Sequence, residues 1–131
     1  MEKTVLIVTD GAEDTQKMAR AIEKALEGCR VALVRAENFE GPQLLSADVC
    51  FLGAGVPNPP SFAYLYTVLE HINLAGRPCG IFSNSEEAAA YLRGMVRDSE
   101  LALDPQPFLG TGDIGDWAAR IITRSVEKNT P

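Results

Sequence analysis

The residues best placed to do chemistry lie in one seven-residue turn, Thr9-Asp10-Gly11-Ala12-Glu13-Asp14-Thr15. It follows the apolar run Val5-Leu6-Ile7-Val8 and leads into a helical pattern. In an open α/β sheet, such a strand–turn–helix junction binds anions. Unpaired backbone N–H groups and the positive end of the helix dipole both face the ligand there. The charge of this turn runs the other way, since Asp10, Glu13 and Asp14 stand where an anion site wants hydroxyls and glycines. A phosphate monoester carries about −1.5 to −2 charges at neutral pH. Each unit of like charge about 4 Å away costs roughly 4 kcal/mol near a protein surface. Two chemistries therefore compete for the turn. Thr9, Thr15 and the backbone can hold an anion, or Asp10 or Asp14 can turn onto the helix N–H groups and cap them from within the chain.

The rest of the chain bounds the choice. Its 131 residues with 46% hydrophobic content have the size of one soluble domain spanning 1–131. No apolar run approaches a bilayer span. Met1-Glu2-Lys3-Thr4 enters the first strand without the basic stretch and cleavage site of a signal peptide, so the expected location is the cytoplasm, with no membrane partner. The net charge of −6 argues against nucleic acid, which calls for a basic face. An acidic surface suits docking to a basic partner, and solubility explains it equally well. Cys29, Cys50 and Cys79 form no C-x-x-C pair, and the last two lie in apolar runs. They are expected to be small buried side chains in a reducing compartment. His71 is the only histidine and has no companions at ligand spacing, so no metal site is expected.

The elements that must position the turn follow from hydrophobic periodicity. Near-continuous apolar runs predict parallel strands at 4–9, 30–35, 48–54 and 78–83, with a weaker one within 101–109. Helical spacing joins Met18, Ile22 and Leu26, then Phe62, Leu65, Leu69 and Ile72, then Ala88, Tyr91, Leu92, Met95 and Val96. A last helix carries Ile114, Trp117, Ala118, Ile121 and Ile122, with Trp117 expected in the core. The stretch 38–45 has room for one or two helical turns. Asp14 or Thr15, Ser61, and Asn84 or Ser85 are the expected helix caps, with Glu86 and Glu87 in the fourth helix's first turn. This alternation predicts an α/β fold, a three-layer α/β/α sandwich around a doubly wound parallel sheet with right-handed crossovers.

With five strands, the commonest order is 2-1-3-4-5, which sets a ligand crevice at the carboxyl ends of strands one and three. The crevice would be lined by the first turn, by Ala54-Gly55-Val56-Pro57-Asn58-Pro59-Pro60 and by Ser83-Asn84-Ser85. A phosphoacceptor receiver is excluded, because strand three ends in Gly53-Ala54-Gly55 without an aspartate. No lysine follows the fifth strand until Lys128. A dinucleotide site is excluded by the absence of Gly-x-Gly-x-x-Gly after strand one.

These residues resemble a family. The strand Leu6-Ile7-Val8 followed by Thr15, Ala19 and Ile22 resembles the opening motif of the short-chain flavodoxins. Ser46-Ala47-Asp48-Val49-Cys50-Phe51-Leu52-Gly53 is similar to that family's third strand. Pro59-Pro60, Leu65, Leu69, Ala75-Gly76-Arg77-Pro78 and Ile81-Phe82 resemble its next crossover and fourth strand. The resemblance runs through nearly the whole chain. It implies a flavodoxin-like sheet and an FMN cofactor held by Thr9, Asp10, Gly11, Ala12, Glu13, Asp14 and Thr15, by Ala54, Gly55, Val56, Pro57 and Asn58, and by Ser83, Asn84 and Ser85. It further implies electron exchange with a redox partner protein and no catalytic side chain. The sequence departs from the family at these loops. Asp10 replaces serine or threonine, and Glu13 replaces glycine or a small residue. The second loop carries Pro57, Pro59 and Pro60, which lack N–H donors, and no aromatic ring. The alternative is a flavin-free binding or regulatory module on the same fold.

Overall fold

Val5 and Ile7 face one side of a parallel sheet while Leu6 and Val8 face the other, and all four are buried. A strand apolar on both faces needs a helical layer above and below it. The structure, a computed structural model, describes residues 3–71, 76–97, 99, 101–110 and 112–128. Its strands are β1 (Thr4–Thr9), β2 (Arg30–Arg35), β3 (Val49–Gly53), β4 (Pro78–Phe82) and β5 (Ala102–Leu103). All pair in parallel, in the order β2-β1-β3-β4-β5. The crossovers are α1 (Glu13–Ala25), α2 (Gly41–Ser46), α3 (Ala63–His71), α4 (Glu86–Arg97) and α5 (Ile114–Lys128).

The helices divide into two layers. Ala19 and Ile22 of α1 pack with Trp117, Ala118 and Ile121 of α5 against Val5, Ile7 and Phe51. Leu44 of α2, Leu65 and Leu69 of α3, and Leu92 and Val96 of α4 cover Leu6, Val8, Leu52 and Ile81 on the opposite face. Trp117 is core as expected. Its ring tilts against Phe51 and Phe108 at centroid distances of 5.5 and 5.8 Å, and its indole N–H donates to the Gln106 carbonyl at 2.8 Å. Ile72, expected on the inner face of the third crossover, lies outside the described residues.

Three local expectations differ. The fifth strand is much shorter than 101–109. After Leu103 the ladder stops, and it resumes as a single bridge between Phe82 and Phe108. Pro105 and Pro107 lack the N–H that a ladder requires, and the Asp104 side chain accepts the Gln106 N–H at 3.1 Å, turning the chain outward. The helix caps also shift. Helix α1 starts at Glu13 with Ala12 at its cap, which leaves Asp14 and Thr15 inside the first turn. Ser61 falls inside a 3₁₀ turn, Pro60–Phe62, rather than capping α3. Ser85 does cap α4, its hydroxyl accepting the Ala88 N–H at 3.2 Å. At the carboxyl end of β3, a Cβ on Gly53 would meet the Phe82 ring at 2.2 Å. Only glycine lets β3 and β4 run side by side into the loop region.

Candidate functional site

The loops after β1, β3 and β4 meet at one end of the sheet, and polar side chains tie them together. Asp10 makes the central tie. One carboxylate oxygen accepts the N–H of Ala12 in its own loop at 3.0 Å, and the other accepts the N–H of Gly55 after β3 at 2.8 Å. Its backbone N–H extends the sheet by donating to the Gly53 carbonyl at 3.2 Å. Asp14 reaches the third loop, where it accepts the Asn84 amide at 2.9 Å. The Ser83 hydroxyl closes the remaining side, donating to the Ala54 carbonyl at 2.6 Å and accepting the Ser85 N–H at 3.0 Å. Asn58, in the left-handed region with φ +50°, accepts the Tyr91 hydroxyl of α4 at 3.0 Å.

The first turn is shaped by what lies beneath it. Thr9 is fully buried, donating its hydroxyl to Gln16 at 2.6 Å and accepting the Gly11 N–H at 3.3 Å. Gly11 has φ +84°, and the Arg35 guanidinium lies so close that an added Cβ would stand 2.4 Å from it. The positive φ favours glycine there, whereas the half-exposed Arg35 side chain is free to move aside. Arg35 is itself paired with Glu37 at 3.2 Å. Glu13 points away from the crevice and pairs with Lys17 at 3.8 Å on the exposed face of α1.

Two groups of donors remain available. No side chain caps α1 at Ala12, and the N–H groups of Glu13, Asp14 and Thr15 have no acceptor among the described residues. The Thr15 hydroxyl is fully buried and has no hydrogen-bond partner. It faces the second loop, 3.5 Å from where a Cβ on Gly55 would stand. A buried hydroxyl without a partner is costly and rare, and this one lies where the first and second loops meet. Val56, 52% exposed, offers apolar surface on the second loop.

The structure thus brings Asp10, Ala12, Thr15 and Gly55 together, joins Asp14 to Asn84, and joins Ser83 to Ala54. Glu13, Val56 and Pro57 are directed to solvent instead. Sequence reasoning missed Gln16, Arg35 and Tyr91, whose roles come from packing across elements. It also treated Cys50 and Cys79 as unrelated, whereas β3 and β4 place them directly opposite each other. The hydrogen bond with the Cys50 thiol, together with complete burial, pushes the Cys79 thiol well above its ordinary range. Among the described residues there is no cluster of three or more metal-binding side chains. No described helix is long and apolar enough to cross a membrane.

Asp10 already occupies the Ala12 and Gly55 N–H groups, so a phosphate in the first turn would lie against a carboxylate and without those two donors. The Thr15 hydroxyl, buried and uncharged, can both donate and accept.

No protein-family model matches the chain, and no curated protein matches it in sequence. Solved structures match it over nearly its full length. A short-chain flavodoxin associated with a bacterial microcompartment superposes with a TM-score of 0.79 at 10% identity, covering 95% of this chain and 99% of that one. Flavodoxin 2 from Bacillus cereus gives 0.74 at 19% identity with the same coverage. A Fusobacterium nucleatum flavodoxin variant bound to flavin mononucleotide gives 0.69 at 12% identity, covering 98% of each chain. With its sheet order 2-1-3-4-5 and helices on both faces, the chain has the flavodoxin-like fold.

Proposed function

We propose that the protein is a flavodoxin-type electron carrier that takes a flavin at the crevice formed by its three loops. The observation that carries this reading is the unpartnered, fully buried Thr15 hydroxyl facing Gly55 at the crevice wall. The full-length likeness to flavodoxins, one of them bound to flavin mononucleotide, supports it. In this reading the contact set is residues 9–15, 54–58 and 83–85. Thr15 and the N–H groups of the α1 first turn meet the polar chain of the flavin. The flavin supplies the electron chemistry, and the side chains bind and orient it. The acidic surface, with a net charge of −6, would steer the carrier to redox partners with basic docking faces.

Colour tests it. Protein purified from cells, or titrated with riboflavin or FMN, is expected to show flavin absorbance and quenched flavin emission. Colourless protein that leaves FMN and riboflavin emission unchanged sinks the reading. A second reading, a flavin-free binding module, is favoured by the Asp10 carboxylate, which meets from within the chain two of the backbone donors that a ligand anion would use.

A further inference from the structure

We infer that Asp10 sets the ligand class of the crevice, turning it away from phosphorylated flavins and toward a flavin with a neutral side chain, such as riboflavin. The inference rests on the flavin reading for its ligand. The role of Asp10 itself can be measured with inorganic phosphate alone.

Three observations carry it. First, the carboxylate does more than cap its own helix. It spans two loops, accepting Ala12 N–H at 3.0 Å and Gly55 N–H at 2.8 Å, donors that belong to the carboxyl ends of two adjacent strands. Convergent backbone donors of this kind are what an anion would recruit. Second, no cation pairs with Asp10 among the described residues. Arg35, which lies against Gly11, is paired with Glu37, and the nearby Asp14 carboxylate bonds only to a neutral amide. An incoming phosphate would meet the Asp10 and Asp14 carboxylates beside the donors that remain at the start of α1. Third, the buried group left without a partner is uncharged. The Thr15 hydroxyl serves a polyol hydroxyl as well as it serves a phosphate oxygen, because it can donate or accept.

Riboflavin and FMN differ only in the phosphate, so their affinity ratio isolates this effect. Wild type, Asp10→Ser and Asp10→Asn are titrated with each flavin by emission quenching in phosphate-free, low-salt buffer. Thermal melting is recorded with and without inorganic phosphate, and far-UV circular dichroism verifies folding. Wild type is expected to bind riboflavin about tenfold or more tightly than FMN. Both variants are expected to move the ratio toward FMN by at least about tenfold. Wild type preferring FMN, or a ratio unmoved in both folded variants, overturns the inference. Where neither flavin binds wild type, the flavin reading fails by itself and phosphate melting decides the role of Asp10. Stabilisation of the variants but not of wild type supports it, and variants as insensitive as wild type overturn it.

Discussion

Two aspartates close the loops at the carboxyl end of the sheet, and they do so in opposite ways. Asp104, after β5, is 4% exposed and bonds locally to the Gln106 N–H, while Arg120 of α5 balances its charge at 3.3 Å. Asp10, after β1, is half-buried and bonds to a loop 45 positions away. Its charge is met by amide dipoles alone among the described residues. One carboxylate is neutralised and sealed where the sheet edge breaks down. The other is held open to solvent where α1 and β3 diverge, the position at which sheets of this order offer a crevice. A buried carboxylate with a cation serves stability. A half-exposed one on convergent N–H groups also decides what else can approach them.

The largest expected effect tests that division directly. Asp104→Ala is expected to cost about 2–4 kcal/mol, because it strands Arg120 and releases the Gln106 N–H. The value falls below that for a fully buried pair since Arg120 is partly solvated. Asp10→Ala should cost less, about 1–2 kcal/mol, because water can reach the released N–H groups. Denaturant unfolding of both variants checks the order, and the reverse order would break the comparison. Thr15→Val is expected to be smaller and of opposite sign. Replacing an unpartnered buried hydroxyl with an isosteric methyl should leave stability unchanged or raise it by up to about 1 kcal/mol. A clear loss in the same assay would show that the hydroxyl is already bonded. The least perturbing test uses the thiols. In native protein only Cys29 is expected to react with a disulfide reagent, and Cys50 and Cys79 only after unfolding, since both are buried and the Cys79 proton is held tightly. Repeating the labelling on Asp10→Ala sharpens the comparison. If the sheet beneath the loops stays sealed, Asp10 acts on the crevice alone.

Much of the fold was legible because its signals are local. The apolar runs of β1 to β4 and the helical spacing of Met18, Ile22 and Leu26 state their own burial pattern, and alternation of the two types allows few sheet orders. The fifth strand was over-read because Leu101, Leu103, Phe108 and Leu109 look strand-like. Pro105, Pro107 and the Asp104 turn interrupt them. The candidate site was legible as a set of loops but not as a set of contacts. Asp10 was recognisable as a capping residue, yet its bond to Gly55 depends on β1 and β3 lying side by side.

The sequence by itself determined which segments would be strands and helices, that three loops would gather at one sheet end, and that acids rather than hydroxyls would line the first. Those follow from periodicity, chain direction and side-chain type, which need no knowledge of distant neighbours. Tertiary structure alone decided that Asp10 bridges two loops, that Glu13 turns outward to Lys17, that Thr15 is left without a partner and that Cys50 faces Cys79. Hydrogen bonds reach about 3 Å, and only the parallel pairing of strands far apart in sequence brings these atoms within that range.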